Sequence, residues 1–185
     1  ELFLHAKNAL DRAQKTGSGA DLAASIFGGT IAYRKDPFAC SKLANNPPIS
    51  VIFCGAKTPT LQMIEQVKQQ QQQDTEKYTK IYAEIGRISH DGVTAINNQN
   101  WDLLARLFSK QQNLMQQMQL CNDNINKCIA EMANANMAGK ISGAGLGDCV
   151  IGINTAKTQQ IDNIKPPQQL LDIMIDDDGI LYDSE

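Results

Sequence analysis

The chain has 185 residues, 42% of them hydrophobic, with a formal net charge of −3. That is the size of one domain with enough apolar content to bury a core, while Lys and Arg scattered on an acidic background (pI about 5.4) exclude a phosphate-backbone surface, so no nucleic acid partner is expected. No apolar run reaches the length of a membrane span, and the start, Glu1 to Lys7, lacks the basic, then apolar, then small-residue plan of a signal peptide; no membrane partner and a cytoplasmic location are expected.

Leu2, Leu4, Ala6, Ala9, Leu10 and Ala13 form a helical stripe to about Gln14, and Thr16-Gly17-Ser18-Gly19 breaks it. Helical periodicity that begins at once after Glu1, with no Met, suggests a fragment lacking an upstream part. A short helix is expected from Ala20 to Phe27, ended by Gly28-Gly29. Thr30 to Arg34 and Ile49 to Cys54 read as strands on either side of a polar loop closed by Pro47-Pro48.

From Thr60 the pattern is helical, with Leu61, Ile64 and Val67 on one face, and it runs into Gln69 to Gln73, read as a solvated helix end or linker. Longer helices are expected over about Thr75 to Ile96, Trp101 to Met118 and Asp123 to Ala135, with Trp101 and the methionines as packing residues. Gly139–Ser142 and Asp148–Asn154 are strand-like. The tail reads as two strands, Leu170 to Ile175 and Ile180 to Tyr182, joined by a solvated Asp-Gly turn at Asp176-Asp177-Asp178-Gly179. Strands toward both ends around a helical middle predict an α+β sandwich, helices on one face of a mainly antiparallel sheet.

Five cysteines (Cys40, Cys54, Cys121, Cys128, Cys149), no CxxC pair and only His5 and His90 indicate neither a disulfide framework nor a zinc site; no metal-ligating residue is assigned. The cysteines read as buried small hydrophobes.

Two segments carry candidate chemistry. Lys140-Ile-Ser-Gly-Ala-Gly-Leu-Gly-Asp-Cys149 places glycines at 143, 145 and 147 between two strand-like pieces. Backbone stripped of side chains lets N–H groups reach a bulky anion such as a phosphate, and the same letters also serve a tight turn. In Thr16 to Gly29, Asp21 opens a short helix after two glycines. It either complements the helix N-terminus or stands as a carboxylate able to take a proton from a substrate hydroxyl.

Taken together, Ser18-Gly19-Ala20-Asp21 through Gly28-Gly29, and Lys140 to Cys149, resemble the carboxyl-terminal half of the small-molecule kinases named for galactokinase, homoserine kinase, mevalonate kinase and phosphomevalonate kinase, the GHMP family. Cys54-Gly-Ala-Lys-Thr-Pro-Thr60 is similar to a strand-end segment near the substrate pocket of mevalonate-type members. The similarity runs from about Leu4 to about Ile153, and within the family it lies nearest the mevalonate and phosphomevalonate kinases.

The resemblance implies a ferredoxin-like α+β sandwich and one carboxyl-terminal domain over 1–185. Residues 1–29 would then form the substrate and catalytic-aspartate segment, at the junction with an amino-terminal half. It implies Asp21 as the catalytic residue and Ser18, Gly19 and Thr60 as substrate-binding residues. Ser142, Gly143, Ala144, Gly145, Leu146 and Gly147 would border the ATP phosphates, on the same cleft as Asp21. The implied reaction is ATP-dependent transfer of the γ-phosphoryl group to the alcohol of a small molecule. Mevalonate, in isoprenoid precursor biosynthesis, is the first candidate and phosphomevalonate the alternative, and a homodimer is admitted because members commonly dimerise. ATP and Mg2+ are the implied cofactors. The family's upstream Pro-x-x-x-Gly-Leu-Gly-Ser-Ser-Ala loop, its magnesium ligands and its assisting lysine match nothing here, so the isolated chain is expected to be inactive, at most a substrate- or partner-binding module.

Overall fold

The computed structural model describes residues 2–14, 17–155, 161 and 164–180. The chain divides into two compact units, one of Glu1–Asn46 with Met174–Glu185 and the other of Pro47–Ile173.

In the first unit, α1 (Leu2–Gln14) and α2 (Ala20–Phe27) accompany a hairpin of β1 (Ile31–Arg34) and β2 (Ala39–Lys42), antiparallel with Tyr33 opposite Cys40. The α2 helix starts where Gly19 takes a left-handed φ of 80° and its carbonyl accepts the Ala23 N–H at 2.9 Å. It stops at Gly28, φ 66°, whose N–H donates to the Ala24 carbonyl. The β2 strand was not expected, because Ala39–Lys42 has neither alternation nor branched residues. Its pairing follows from the turn at Lys35 to Phe38, and Phe3 stacks on Phe38 with ring centroids 4.8 Å apart.

The second unit holds β3 (Ile49–Phe53), α3 (Thr60–Gln73), α4 (Thr75–Asn97), α5 (Trp101–Gln117), α6 (Asp123–Asn134), β4 (Ala138–Ile141), β5 (Cys149–Ile153) and β6 (Gln169–Leu171). Its sheet has the order β4-β5-β3-β6, with every described pair antiparallel, so the expected α+β class and mainly antiparallel sheet are what forms. Side-chain oxygens of Asp74, Asn100 and Asn122 accept the N–H groups of Lys77, Leu103 and Ile125 and so start α4, α5 and α6. The α3 helix continues through the glutamine tract. Gln70 is tied in, donating to Gln119 Oε1 at 2.9 Å and accepting from the Tyr78 hydroxyl.

Ile141, Val150 and Ile52 stand opposite one another across three strands and are essentially sealed from water, packed with Ile125, Cys128 and Met132 of α6. In the neighbouring row Gly139 pairs with Gly152. A Cβ on either would come within 2.9 or 2.6 Å of Met132 Sδ, so two bare positions in register form the socket that this methionine fills.

At the β4 edge, the outward N–H of Ile141 donates to Gln112 Oε1 of α5 at 2.9 Å, and the Ile141 carbonyl accepts from Lys140 Nζ at 3.0 Å. Gln112 is 4% exposed. Side chains thus close an edge that would otherwise offer free ladder groups.

The expected tail hairpin does not form among the described residues. Only Gln169–Leu171 is a strand, and it pairs with β3; residues 172–180 hold no strand, and Leu181 and Tyr182 lie outside the described residues. The Asp176 carbonyl accepts the Gly29 N–H and the Ile180 N–H donates to the Ile26 carbonyl, so the two ends of the expected turn are tied to the end of α2.

Gln112→Leu keeps the volume and leaves the Ile141 N–H buried without an acceptor. A loss of about 1–3 kcal/mol is expected, read as a lowered urea midpoint at unchanged slope.

Candidate functional site

Ser18, Gly19 and Asp21 lie together at the start of α2. The Ser18 hydroxyl oxygen accepts the Ala20 N–H at 3.2 Å, and the Ser18 carbonyl accepts from the Tyr33 hydroxyl at 2.6 Å. Gly19 holds a left-handed φ of 80°, which favours glycine, beside the end of the Lys7 side chain, whose ammonium is paired with Asp11. Asp21 occupies the first turn and is exposed; its carbonyl accepts from Ser25 Oγ at 3.0 Å. A carboxylate at that position is favoured by the helix dipole and stands in solvent with no basic partner among the described residues.

The glycine loop belongs to the second unit. Ser142 closes the β4–β5 ladder by donating its N–H to the Cys149 carbonyl at 2.9 Å. Beyond it, φ is positive at Gly143 (79°), Gly145 (95°), Leu146 (55°), Gly147 (152°) and Asp148 (69°). The three glycines do different work. A Cβ on Gly145 would lie 2.7 Å from the Leu120 carbonyl oxygen, and one on Gly147 would lie 2.8 Å from the Ala56 carbonyl oxygen, so both are demanded by backbone packing. Around Gly143 nothing stands within 4 Å.

Leu146 is fixed from both sides. Its N–H donates to the Leu120 carbonyl at 2.8 Å, and its carbonyl accepts from Thr58 Oγ1 at 2.5 Å and Asn122 Nδ2 at 2.9 Å. Asp148 donates its N–H to the Ala56 carbonyl at 2.6 Å and its carbonyl accepts the Cys54 N–H at 2.7 Å. Lys57 Nζ lies 3.6 Å from Asp148 Oδ2 on the exposed rim. Among the described residues no acceptor takes the N–H groups of Gly143, Ala144, Gly145 or Gly147. Rigid, unclaimed donors next to open space are what an anion requires of a backbone.

Thr58, Asn122 and the backbone of Leu120 and Ala56 were not assigned from sequence, although Thr58 sits in the Lys-Thr-Pro-Thr segment. The hydroxyl described at the loop is that of Thr58; Thr60 opens α3, and its side chain lies outside the described residues.

Lys140 is the first residue of the loop motif. Its ammonium reaches the Ile141 carbonyl and sits 5.2 Å from the centre of the Phe108 ring, with no carboxylate partner among the described residues. Loss of hydration pushes its pKa down to about 8. The Cys54 thiol is pushed up by its hydrogen bond with Cys128 and by burial, which suits the packing role expected of these two, whereas Cys40, Cys121 and Cys149 are half-buried. Among the described residues no group of three or more His, Cys, Asp or Glu side chains gathers to hold a metal ion, and no helix is long and apolar enough to cross a membrane.

Residues 93–163, which contain α5, α6, β4, the glycine loop and β5, match the model of the family described as GHMP kinases C terminal. This segment is a GHMP kinase C-terminal domain. The chain is 27% identical over 139 residues to the mevalonate kinase of Aeropyrum pernix, covering 74% of this chain and 43% of that protein. It is 28% identical over 152 residues to the mevalonate kinase of Archaeoglobus fulgidus, covering 82% and 51%. It therefore spans about half the length of the curated relatives it matches. A crystal structure of L. major mevalonate kinase in complex with R-mevalonate superposes with a TM-score of 0.71 at 20% identity, over 77% of this chain and 45% of that one. That likeness extends the shared fold well beyond the segment of the GHMP kinase domain.

Two outcomes are expected here. Gly145→Ala forces a side chain against the Leu120 backbone and lowers stability by about 2 kcal/mol or more, whereas Gly143→Ala meets only the strain of its positive φ, about 1 kcal/mol; urea unfolding of both variants checks the order. For Lys140, the folded pKa of about 8 lies below the ordinary 10.5, so between those values the unfolded chain binds more protons and stability rises with pH. Any advantage of Lys140→Met over the parent should therefore shrink by roughly 1–3 kcal/mol between pH 8 and pH 10.5, measured by unfolding at the two ends.

Proposed function

We propose that the protein carrying this chain is an ATP-dependent kinase that transfers the γ-phosphoryl group to the alcohol of a small molecule, with mevalonate as the first candidate acceptor. The observation that carries the reading is the glycine loop: four N–H groups without a described acceptor, held rigid by Leu120, Ala56, Thr58 and Asn122, beside the open space at Gly143. The names of the curated relatives supply the acceptor, and the resemblance in the α2 segment supplies the base.

Phosphoryl transfer depends on alignment and on stabilising charge that spreads over the phosphoryl oxygens. Donors fixed before the substrate arrives cost no reorganisation when that charge develops. In this reading the N–H groups of Gly143, Ala144 and Gly145 face phosphate oxygens of ATP, with Ser142 and Leu146 shaping the backbone on either side. Asp21 accepts or orients the proton of the acceptor hydroxyl, and Ser18 and Gly19 set the backbone that presents it. Magnesium would neutralise phosphate charge, but the described residues gather no ligand set for it, and no step here is assigned to it.

An exposed carboxylate suits an alcohol acceptor, which must lose its proton. A phosphate acceptor such as phosphomevalonate is already anionic and needs no base. That difference ranks mevalonate first. The cytoplasm, a single carboxyl-terminal domain over 1–185 and a homodimer remain parts of this proposal.

In the complete protein, Asp21→Asn should lower kcat by about 10²- to 10⁴-fold with little change in the KM for ATP. Steady-state assays with ATP and mevalonate, then ATP and phosphomevalonate, check both base and acceptor. Near-normal turnover by a folded Asp21→Asn protein removes the base role, and phosphorylation of neither acceptor removes both names.

A further inference from the structure

Gly28-Gly29, the three consecutive aspartates and Gly179 are left unexplained by the chemistry above, and within the first unit they form one joint. The Gly29 N–H donates to the Asp176 carbonyl at 2.6 Å, and the Ile180 N–H donates to the Ile26 carbonyl at 3.3 Å. A Cβ on Gly28 would overlap the Asp177 carbonyl oxygen and the Gly179 nitrogen, and one on Gly179 would lie 2.5 Å from the Ile26 carbonyl oxygen and 2.6 Å from the Gly28 nitrogen. Each glycine is therefore bare because the other strand of chain passes there.

Side chains lock the joint. Asn46 Nδ2 donates to Asp177 Oδ1 at 3.0 Å, and Asn46 Oδ1 accepts from Thr30 N and Oγ1 at 3.0 and 2.8 Å. Lys42 Nζ donates to the Asp177 carbonyl and lies 3.5 Å from its carboxylate. The Asp178 N–H donates to Asp176 Oδ1 at 2.8 Å, which turns the chain between them. Residues more than 130 positions apart thus fasten the last turn of α2, one helix of eight residues whose first turn carries Asp21.

A helix of two turns has little stability of its own and takes its position from what holds its ends. We propose that residues 174–180 are a positioning clamp on α2, with Asp177 as its central residue, and that the clamp fixes where the helix presents Asp21. The proposal rests on the reading of Asp21 as the base, but its first measurement does not.

The experiment uses the complete protein with Asp177→Ala, Asp177→Asn and Lys42→Met, each checked for folding by circular dichroism. Amide exchange followed by mass spectrometry should speed up by about tenfold or more in peptides covering Ala24 to Gly29 in Asp177→Ala. It should rise less in Lys42→Met, which leaves the Asn46 bond in place, and stay near the parent rate in Asp177→Asn, whose amide oxygen still accepts from Asn46. In the same series kcat should fall by about tenfold for Asp177→Ala at unchanged KM for ATP and recover in Asp177→Asn. Unchanged exchange in α2 overturns the clamp whatever the activity does. Faster exchange with an unchanged kcat, in a protein that Asp21→Asn inactivates, overturns the positioning role. If Asp21→Asn is itself fully active, the base reading has failed, and so has the claim that the clamp serves it, while the exchange data still decide whether the tail holds the helix.

Discussion

Backbone passing closer to backbone than a Cβ permits is the constraint on which the glycine loop depends. At Gly145 the chain lies against the Leu120 carbonyl, and at Gly147 against Ala56 and Thr58. Those approaches force positive φ along the bend, and Leu146 and Asp148, which have side chains, are carried into the same region at φ 55° and 69°. A left-handed residue with a Cβ is disfavoured by roughly 1–2 kcal/mol. Three hydrogen bonds on Leu146 and two backbone bonds on Asp148 offset that cost, so the strain and its compensation occupy the same few atoms. The N–H groups of Gly143 to Gly145 have no acceptor among the described residues, and of these positions Gly143 is the exposed one, with nothing within 4 Å of a Cβ.

The sheet beneath the loop is organised for the same rigidity. Gly139 and Gly152 in register admit Met132, which packs α6 onto β4 and β5 toward the end of the ladder away from the loop. On the open side of β4, Gln112 and Lys140 take the two ladder groups of Ile141 that no strand reaches. Lys140 does so as a cation with no carboxylate partner among the described residues, and burial lowers its pKa. An ammonium capping the last carbonyl before Ser142 therefore closes the edge at the cost of its own hydration.

Much of this was legible in the letters. The α2 bounds, Ala20 to Phe27, follow from a glycine on each side, and the starts of α4, α5 and α6 follow from a polar capping residue before a periodic apolar stripe. What failed to show had no local signal. Ala39–Lys42 becomes a strand only because Ile31–Arg34 supplies a partner. The tail reads as a hairpin by itself, but the Asp176 carbonyl and the Ile180 N–H bond to a helix end far away in the sequence, which no window of neighbouring residues can reveal. Thr58 was within a flagged segment, but its role depends on an 88-residue separation from Leu146.

The glycines give the sharpest instance of that limit. Gly143, Gly145 and Gly147 are alternate letters of one motif, and sequence offered the three together either anion-binding backbone or a tight turn, yet only Gly143 has room for a Cβ while the other two are packing positions. Gly28 and Gly179 obey the same rule as Gly145: each is bare where the backbone of the other's segment crosses. A glycine therefore reports close approach without saying what approaches. What tells such positions apart is what their neighbours touch and which of their N–H groups are already bonded. The end of α2 and the end of β4 differ in that respect: Gly28 and Gly29 donate to Ala24 and Asp176, whereas Gly143 and Gly145 have no acceptor among the described residues.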